Sequence, residues 1–379
     1  MQEAFRPVRL RLVQNGSYVA TRFIAAQPAP AACRLQTGAH SLALMNLPDN
    51  WRPSTPWDPT VHTIDHAAIH SSAGIVALSN GEVIEDTFDH SDPLADGYQR
   101  RHGYELPTEN GEARPEGGVV SMPPPQRHLA GRHLSLLMPG GGNPFHWLIM
   151  NLARVGLLDD ADIAGLTAIL VPAELGPVAR DSLDRDARLP DLPRHEVARG
   201  IGVSVDSLVL PWRVASGDGM HPAGISHLRR LYPATGPRHR RLYIDRRGAP
   251  ARALSNEGEI VDLLAARGFL PVRLETLTMG EQARLFQEAE IVVAPHGAGL
   301  ANMVFAPPGL RIVELLPDGA INWCYRHLAA ASGHRYDCVI GRSAPASHPG
   351  ASRLRAGWTI AATHVLSGID PDPATSAEF

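Results

Sequence analysis

One stretch of the chain, residues 291–317, constrains the fold more than any other, and it reads IVVAPHGAGLANMVFAPPGLRIVELLP. The apolar run 291–294 predicts a buried strand. Residues 300–305 predict a short helix, which the prolines and glycine at 307–309 end. Residues 311–316 predict a second strand. Strand, turn, helix and strand form the βαβ unit of a parallel sheet, whose ligands bind at the carboxyl ends of the strands.

The turn inside this unit consists of His296, Gly297, Ala298 and Gly299. Two glycines so close together allow a tight turn and the near backbone approach that a ligand phosphate needs. The turn therefore predicts a site for a phosphate-bearing ligand. A tight loop with a packed histidine is the alternative, and a lone Gly-x-Gly would favour it.

The same alternation of strands and helices extends over the second half of the chain. Asn256 with Glu259 and Thr278 with Glu281 have the spacing of capping boxes, which predict two helix starts. Strands that alternate with helices of this length predict a doubly wound parallel sheet. The strands of this half are predicted at 242–244, 269–274, 291–294, 311–316 and 336–340.

The first third of the chain has a different character. Residues 1–125 contain short β-like runs among many prolines and glycines, and Asn80-Gly81 between apolar runs predicts a hairpin at 75–84. Beyond them, a glycine-rich turn at 139–142 precedes a helix predicted over 145–154, which is apolar almost all round and should be buried. That turn also resembles part of a dinucleotide-binding fingerprint, but the full pattern is absent. An NAD-dependent oxidoreductase is therefore a weak alternative.

Composition limits the functions that fit. The net charge of −4 implies no general attraction to nucleic acid or membrane. All 35 basic residues are arginine, which binds phosphate in a bidentate manner better than lysine does. The three cysteines lack the spacing of a metal site or a disulfide framework. No secretory leader or apolar run of membrane-spanning length is evident, so a cytoplasmic location is expected.

Three blocks over residues 130–342 resemble glycosyltransferase family 61. The first block is Asn143-Pro144-Phe145-His146-Trp147-Leu148, followed by Arg154. The second is Tyr243-Ile244-Asp245-Arg246, followed by Arg252 and Asn256-Glu257. The third is His296-Gly297-Ala298-Gly299-Leu300 with Asn302 and Glu314. The bacterial capsular polysaccharide enzymes are the part of the family that we expect the chain to resemble.

This resemblance implies a GT-B-like α/β fold with two Rossmann-like doubly wound domains that face a cleft. The expected divisions are a β-rich region at 1–125, an acceptor-side domain at 126–217, a nucleotide-sugar donor domain at 218–345, and a C-terminal segment and tail at 346–379.

The resemblance also implies an inverting hexosyl- or pentosyltransferase that needs no metal or other cofactor. Its donor would be a nucleotide sugar, expected to be a UDP-sugar, and its acceptor a polysaccharide or glycolipid. No nucleic-acid partner is expected, and peripheral association with the inner face of the membrane is left open. Without a metal, arginines and helix N-termini must stabilise the leaving diphosphate. The expected donor-binding residues are Arg246, Arg252, Glu257, His296, Gly297, Ala298, Gly299, Asn302 and Glu314.

Inversion in one step requires a base near the acceptor hydroxyl. Met150 stands where the family usually has an aspartate, and Asp245 where a serine is common. The candidates for the base are His146 first and His296 second, because either could be near neutral. Asp245 is counted with them among the catalytic residues, and Asn143, Trp147 and Arg154 are expected on the acceptor side. A catalytically degenerate nucleotide- or sugar-binding homologue is the alternative function.

Overall fold

A computed structural model describes residues 8–13, 20–23, 59–79, 82–84, 87, 108–109, 112–113, 119–122, 124–189, 191–212, 214–216, 219–249, 252–344 and 357–370. The described part is mixed α/β with two principal sheets. Contacts divide these described residues between Val214 and Ala215 into two compact units, each containing one of the sheets.

The first unit contains an eleven-stranded mixed sheet. Four neighbouring strands run parallel in the order β12-β11-β10-β13, and antiparallel strands continue the sheet from β13. The strands are β1 Val8–Val13, β2 Ala20–Phe23, β3 Thr60–Asp65, β4 Ala68–His70, β5 Ile75–Ala77, β6 Glu82–Ile84, β9 Val119–Met122, β10 Arg127–Ser135, β11 Leu166–Pro172, β12 Arg194–Val197 and β13 Gly202–Trp212; the pair β7 Thr108–Glu109 and β8 Glu112–Ala113 stands apart.

One expectation for this unit needs correction. The four strands within 127–212 are parallel as expected, but β3 and β4 from the N-terminal region join the same sheet and pair antiparallel with β13. The predicted division at residue 125 therefore falls within one sheet. The predicted hairpin is present, since Ala77 of β5 pairs antiparallel with Val83 of β6, although its Asn80-Gly81 turn lies outside the described residues.

The helix predicted over 145–154 is not one regular α-helix. A π-helical turn spans His146–Asn151 and a 3-10 segment spans Leu152–Leu157. Its buried character is confirmed, because Trp147, Leu148 and Leu152 are almost fully buried. The unit's described α-helices are α1 Asp160–Ile163 and α2 Pro177–Asp184.

The second unit is the doubly wound parallel sheet that its sequence predicts. Its strands are β16 Arg240–Ile244, β17 Phe269–Val272, β18 Ala289–Pro295, β19 Arg311–Pro317, β20 Arg335–Ser343 and β21 Trp358–Thr359. They lie in the order β17-β16-β18-β19-β20-β21, and all neighbours pair in parallel except β20 and β21. The pair β14 Ala215–Ser216 and β15 Gly219–Met220 forms a separate ribbon.

Helices cover both faces of this sheet. The helices are α3 Pro222–Leu231, α4 Glu257–Ala265, α5 Met279–Gln287, α6 Cys324–Ser332 and α7 Ala362–Ile369, with 3-10 segments at Leu274–Thr276 and Ala298–Phe305. On one face α4 and α7 pack with Val293 and Val313. Successive strand residues point to opposite faces, so the complete burial of Val292 and Ile312 shows that the other face is covered too.

The two predicted capping boxes have different outcomes. The Thr278–Glu281 box is confirmed, with both reciprocal hydrogen bonds formed. The Asn256–Glu259 box is wrong, because the Asn256 side chain makes no capping hydrogen bond. Its Nδ2 donates to Glu259 Oε2 and to the Ile360 carbonyl, both at 2.9 Å, and its Oδ1 accepts from the Ile360 N–H, so a tertiary contact takes the place of the backbone cap.

No described helix is long and apolar enough to cross a membrane. Within the same residues, no group of three or more His, Cys, Asp or Glu side chains is arranged to hold a metal ion.

His334, between α6 and β20, should make stability depend on pH. Burial lowers the pKa of His334 to about 4, although its hydrogen bond to the Met303 carbonyl opposes the shift. The unfolded chain then binds the proton more readily, so stability is complete above about pH 6.5 and falls as the pH drops towards 4. The loss should be about 2–3 kcal/mol, since one pKa unit is worth about 1.4 kcal/mol.

Urea unfolding of the wild type and His334→Gln at pH 7 and pH 4.5 measures this contribution. Glutamine keeps an N–H donor and does not titrate in this range. We expect a shallower pH dependence in the variant, and parallel dependences would show that His334 does not contribute.

Candidate active site

The candidate site lies where the second unit's strand order reverses. The first strand of the unit's parallel sheet, β16, lies between β17 and β18, so the chain adds strands first on one side of β16 and then on the other. Such a switch point opens a crevice at the carboxyl ends of the two central strands. Here β16 leads into Asp245 and Arg246, and β18 leads into His296 and Gly297. The sequence-predicted turn and one predicted arginine therefore meet.

Arg246 ties the two strand ends together. Its Nη1 donates a hydrogen bond to the backbone carbonyl of His296. Its guanidinium lies directly against Gly297, because a Cβ placed there would be 2.7 Å from Arg246 Cζ. Only a residue without a side chain allows this approach, so the glycine serves the arginine's position as well as the turn.

A second guanidinium, that of Arg252, lies within electrostatic range of the first. Burial lowers the pKa of Arg246, and the positive charge of Arg252 lowers it further. Neither arginine forms an ion pair with a carboxylate of the described residues, and Arg252 Nε is buried without a hydrogen-bond partner among them. Two neighbouring cations without a protein counter-ion suit a ligand with several anionic oxygens.

A buried histidine–carboxylate pair joins His296, just after β18, to Glu314 in the middle of β19. His296 Nδ1 is 2.5 Å from Glu314 Oε1, and the Tyr336 hydroxyl donates to Glu314 Oε2 at 2.5 Å. The imidazole also packs edge-on against Tyr325, with ring centroids 5.0 Å apart. An ionised Glu314 accepts a proton-bearing Nδ1, which leaves the lone pair on Nε2. His296 can therefore act as a base or as a hydrogen-bond acceptor.

The Glu257 carboxylate holds the backbone of Arg246 in place. Its Oε1 accepts hydrogen bonds from the Tyr243 hydroxyl at 2.9 Å and from the Arg246 backbone N–H at 2.7 Å. Burial raises the pKa of this carboxyl, and those hydrogen bonds oppose the shift. The carboxylate is buried and already accepts these two hydrogen bonds. We therefore assign Glu257 the role of holding the backbone at Arg246, and not that of contacting a donor substrate.

Asp245 is similarly engaged. The Arg247 guanidinium donates to its carboxylate at 2.7 Å, and the Arg247 backbone N–H donates to it at 2.9 Å. Burial raises the pKa of Asp245, but the hydrogen bonds and charge of Arg247 outweigh burial and lower it. A carboxylate held ionised by a bidentate arginine is a poor proton acceptor, which argues against the predicted catalytic role.

The remaining predicted donor residues shape the turn. Gly299 lies under Leu274, whose Cδ1 would be 2.5 Å from an added Cβ. Asn302 is buried, and its Nδ2 donates to Gln282 Oε1 and to the Gly299 carbonyl, both at 3.0 Å. The contact of Leu274 with Gly299 and the hydrogen bonds of Asn302 fix the path of the 3-10 segment that begins at Ala298.

The predicted residues of the first unit lie in and beside the helical segment that follows β10. Asn143 Oδ1 accepts from the Phe145 N–H at 2.9 Å and so caps the following helical turn. His146 lies half-buried against Gly140, with its Nδ1 3.1 Å from the sulfur of Met150. A thioether is a weak acceptor and cannot replace the missing carboxylate as a base.

Trp147 and Arg154 are core residues, contrary to an acceptor-side role. Trp147 Nε1 donates to the buried Ser182 hydroxyl at 2.9 Å. Arg154 is fully buried and donates to the carbonyls of Leu137 at 3.0 Å and Pro211 at 3.2 Å. Burial lowers its pKa to about 9. The arginine thus joins the carboxyl ends of β10 and β13, and presents no surface to a substrate.

Sequence reasoning missed the tyrosines of the second-unit site. Tyr243, Tyr325 and Tyr336 contact Glu257, His296 and Glu314 respectively. The sequence marks Tyr243 only as part of the second family-like block and Tyr336 only as part of a predicted strand. Their partners lie 14 to 29 positions away in sequence, so no local pattern marks these contacts.

The family model described as Glycosyltransferase 61 matches residues 145–313. This is less than half of the chain, but it includes both arginines and the His296 turn and stops one residue before Glu314. The comparison therefore supports the family resemblance for this segment.

Three curated relatives from Oryza sativa subsp. japonica match shorter stretches. They are the beta-1,2-xylosyltransferase XAX1 (34% identical over 89 residues, 23% of this chain and 15% of the relative), the alpha-1,3-arabinosyltransferase XAT3 (32% over 98 residues, 25% and 16%) and the beta-1,2-xylosyltransferase RCN11 (35% over 71 residues, 17% and 13%). The chain thus spans about a sixth or less of each relative's length. All three are plant pentosyltransferases, and the bacterial capsular subtype stays a prediction.

Gly297→Ala should displace Arg246, because the added methyl would lie 2.7 Å from its guanidinium carbon. If the guanidinium binds a phosphate, we expect nucleoside diphosphate affinity to fall about tenfold or more, the loss of one charge-assisted hydrogen bond. Isothermal titration calorimetry measures it. Gly258→Ala is the control, since nothing lies within 4 Å of a Cβ added at that position. Equal affinities in the two variants would contradict the assignment.

Arg154→Met should lower the unfolding free energy by about 2–4 kcal/mol, because buried carbonyls lose their donor. Urea denaturation measures the change. Arg185→Met on the exposed side of α2 removes a surface ion pair with Asp181 and should cost about 0.5 kcal/mol or less. A stable Arg154→Met protein that lost only acceptor binding would restore the acceptor-side assignment.

Proposed function

We propose that the protein is a glycosyltransferase that binds a nucleotide-sugar donor at the switch point of its second unit. The observation that carries this proposal is the neighbouring pair Arg246 and Arg252, without a carboxylate partner among the described residues, beside the Gly297 turn. The match to the Glycosyltransferase 61 model over the same residues supports it.

The donor diphosphate is proposed to lie against the two guanidinium groups. The 3-10 segment Ala298–Phe305 starts at the same turn, and the first N–H groups of a helix lack intrahelical partners. Together these groups supply the positive potential that a departing nucleoside diphosphate requires. The reaction is therefore proposed to need no divalent cation.

The proposed reaction is a one-step inversion at the anomeric carbon. The acceptor hydroxyl attacks that carbon, the bond to the diphosphate breaks, and a base takes the hydroxyl proton. His296 is the base that the geometry favours, because Glu314 holds its Nδ1 proton and Nε2 has no hydrogen bond among the described residues. Tyr336 keeps Glu314 in place from the opposite side.

Finer features of the proposal rest on resemblance. A GT-B-like arrangement, a UDP-linked sugar and a polysaccharide or glycolipid acceptor are proposed from the family. The names of the three rice relatives favour a pentose over a hexose as the transferred sugar.

Arg246→Ala should weaken binding of the best ligand among UDP, GDP and CDP by about tenfold or more, the value of a charge-assisted hydrogen bond to phosphate. Arg230→Ala on α3 removes the same charge from an exposed position of the same unit and should leave affinity unchanged. Calorimetry with magnesium and with a chelator measures both variants.

Thermal unfolding checks that each variant is folded. Binding that disappears with the chelator would overturn the metal-independent mechanism. Equal affinities in folded Arg246→Ala and Arg230→Ala would overturn the donor site.

A binding protein without turnover is the second candidate function. Met150 at the position usual for an aspartate, and its contact with His146, favour this reading for the first unit. Donor affinity without transfer to a polysaccharide, a glycolipid or water would support it.

A further inference from the structure

The segment at 252–256 carries Arg252 in an unusual backbone conformation. Its φ of 53° lies in the left-handed region, which non-glycine residues seldom adopt. Such a conformation persists where surrounding contacts hold it in place. Since Arg252 Nε is buried and unpartnered among the described residues, the side chain itself gives no intramolecular reason for this arrangement.

The contacts that hold this segment come from the C-terminal strand. Trp358 Nε1 donates to the Arg252 carbonyl at 3.0 Å. The Trp358 backbone N–H donates to the Ala253 carbonyl at 3.1 Å, and its carbonyl accepts from the Ser255 N–H at 2.7 Å. Three hydrogen bonds from one residue therefore fix the backbone on both sides of Leu254, which itself pairs with Trp358.

The other end of the segment is fixed in the same way. Asn256 Nδ2 donates to the Ile360 carbonyl at 2.9 Å, and the Ile360 N–H donates to Asn256 Oδ1 at 3.2 Å. The Trp358 ring is buried against Gly341 of β20, where an added Cβ would be 2.7 Å from Trp358 Cε3. The indole therefore cannot shift without disturbing the central sheet.

We propose that Trp358 is a positioning residue for the donor site, which holds Arg252 where its guanidinium meets the donor diphosphate. This inference rests on the proposed function. It extends the site to the C-terminal segment, which lies outside the residues matched by the family model. The indole N–H fixes the Arg252 carbonyl, and the carbonyl in turn fixes the direction in which the side chain leaves the strained backbone.

A double-mutant cycle tests the proposal. Trp358→Phe keeps a buried aromatic ring and removes the Nε1 donor together with part of the indole volume, which the matched control below also loses. In the wild-type background we expect Trp358→Phe to weaken binding of the best ligand among UDP, GDP and CDP about fivefold, which is the value of one hydrogen bond. In the Arg252→Ala background we expect the same change to weaken binding less than about twofold, because the effects of residues that act as one unit are not additive. Trp147→Phe, which removes an equivalent buried indole bond to Ser182, is the matched control and should not change affinity.

The outcomes are distinguishable. If Arg252→Ala weakens binding but Trp358→Phe does not, or if their effects add, the positioning role is overturned while the donor site stands. If the wild type binds none of the three nucleotides, the proposed function and this inference both fail. Should Trp358→Phe not fold, Asn256→Ala releases the other end of the segment, and the same loss of effect in the Arg252→Ala background is required.

Discussion

The contact between Arg246 and Gly297 is the interaction on which the rest of the candidate site depends. It joins the ends of β16 and β18 at the point where the sheet order reverses, and it leaves the guanidinium without a carboxylate partner among the described residues. A partly buried cation in that state has a lowered pKa and a strong tendency to bind an anion. The Glu257 carboxylate stabilises the backbone beneath it, and Arg252 adds a second charge beside it.

The first unit has an arginine in a comparable position with a different consequence. Arg154 also joins the carboxyl ends of two neighbouring parallel strands, β10 and β13, but its guanidinium donates to backbone carbonyls and is fully buried. The N–H groups of this guanidinium already donate to the protein's own carbonyls, so they are not available to a ligand. The comparison shows that residue type at a strand end does not define a binding site. The number of hydrogen-bond donors left without a partner does.

Local sequence patterns succeeded where a local cause decides the structure. The five parallel strands of the second unit and the Thr278–Glu281 capping box follow from apolar periodicity and from one side chain three positions from another. The same reasoning failed for the capping box at Asn256, where the C-terminal strand offered a competing partner. It also failed for the regular helix predicted at residues 145–154, where a closely packed segment forms π and 3-10 turns.

The sequence by itself determined the α/β alternation, the glycine turn at 296–299 and the arginines available for phosphate binding, because these depend on neighbours along the chain. Only the tertiary structure decided which of the candidates are engaged by other parts of the protein. It buried Trp147 and Arg154, bound Asp245 to Arg247, and brought Tyr336 to Glu314 and Trp358 to Arg252. Those outcomes depend on strand order and on contacts between residues far apart in the chain, which no local pattern encodes.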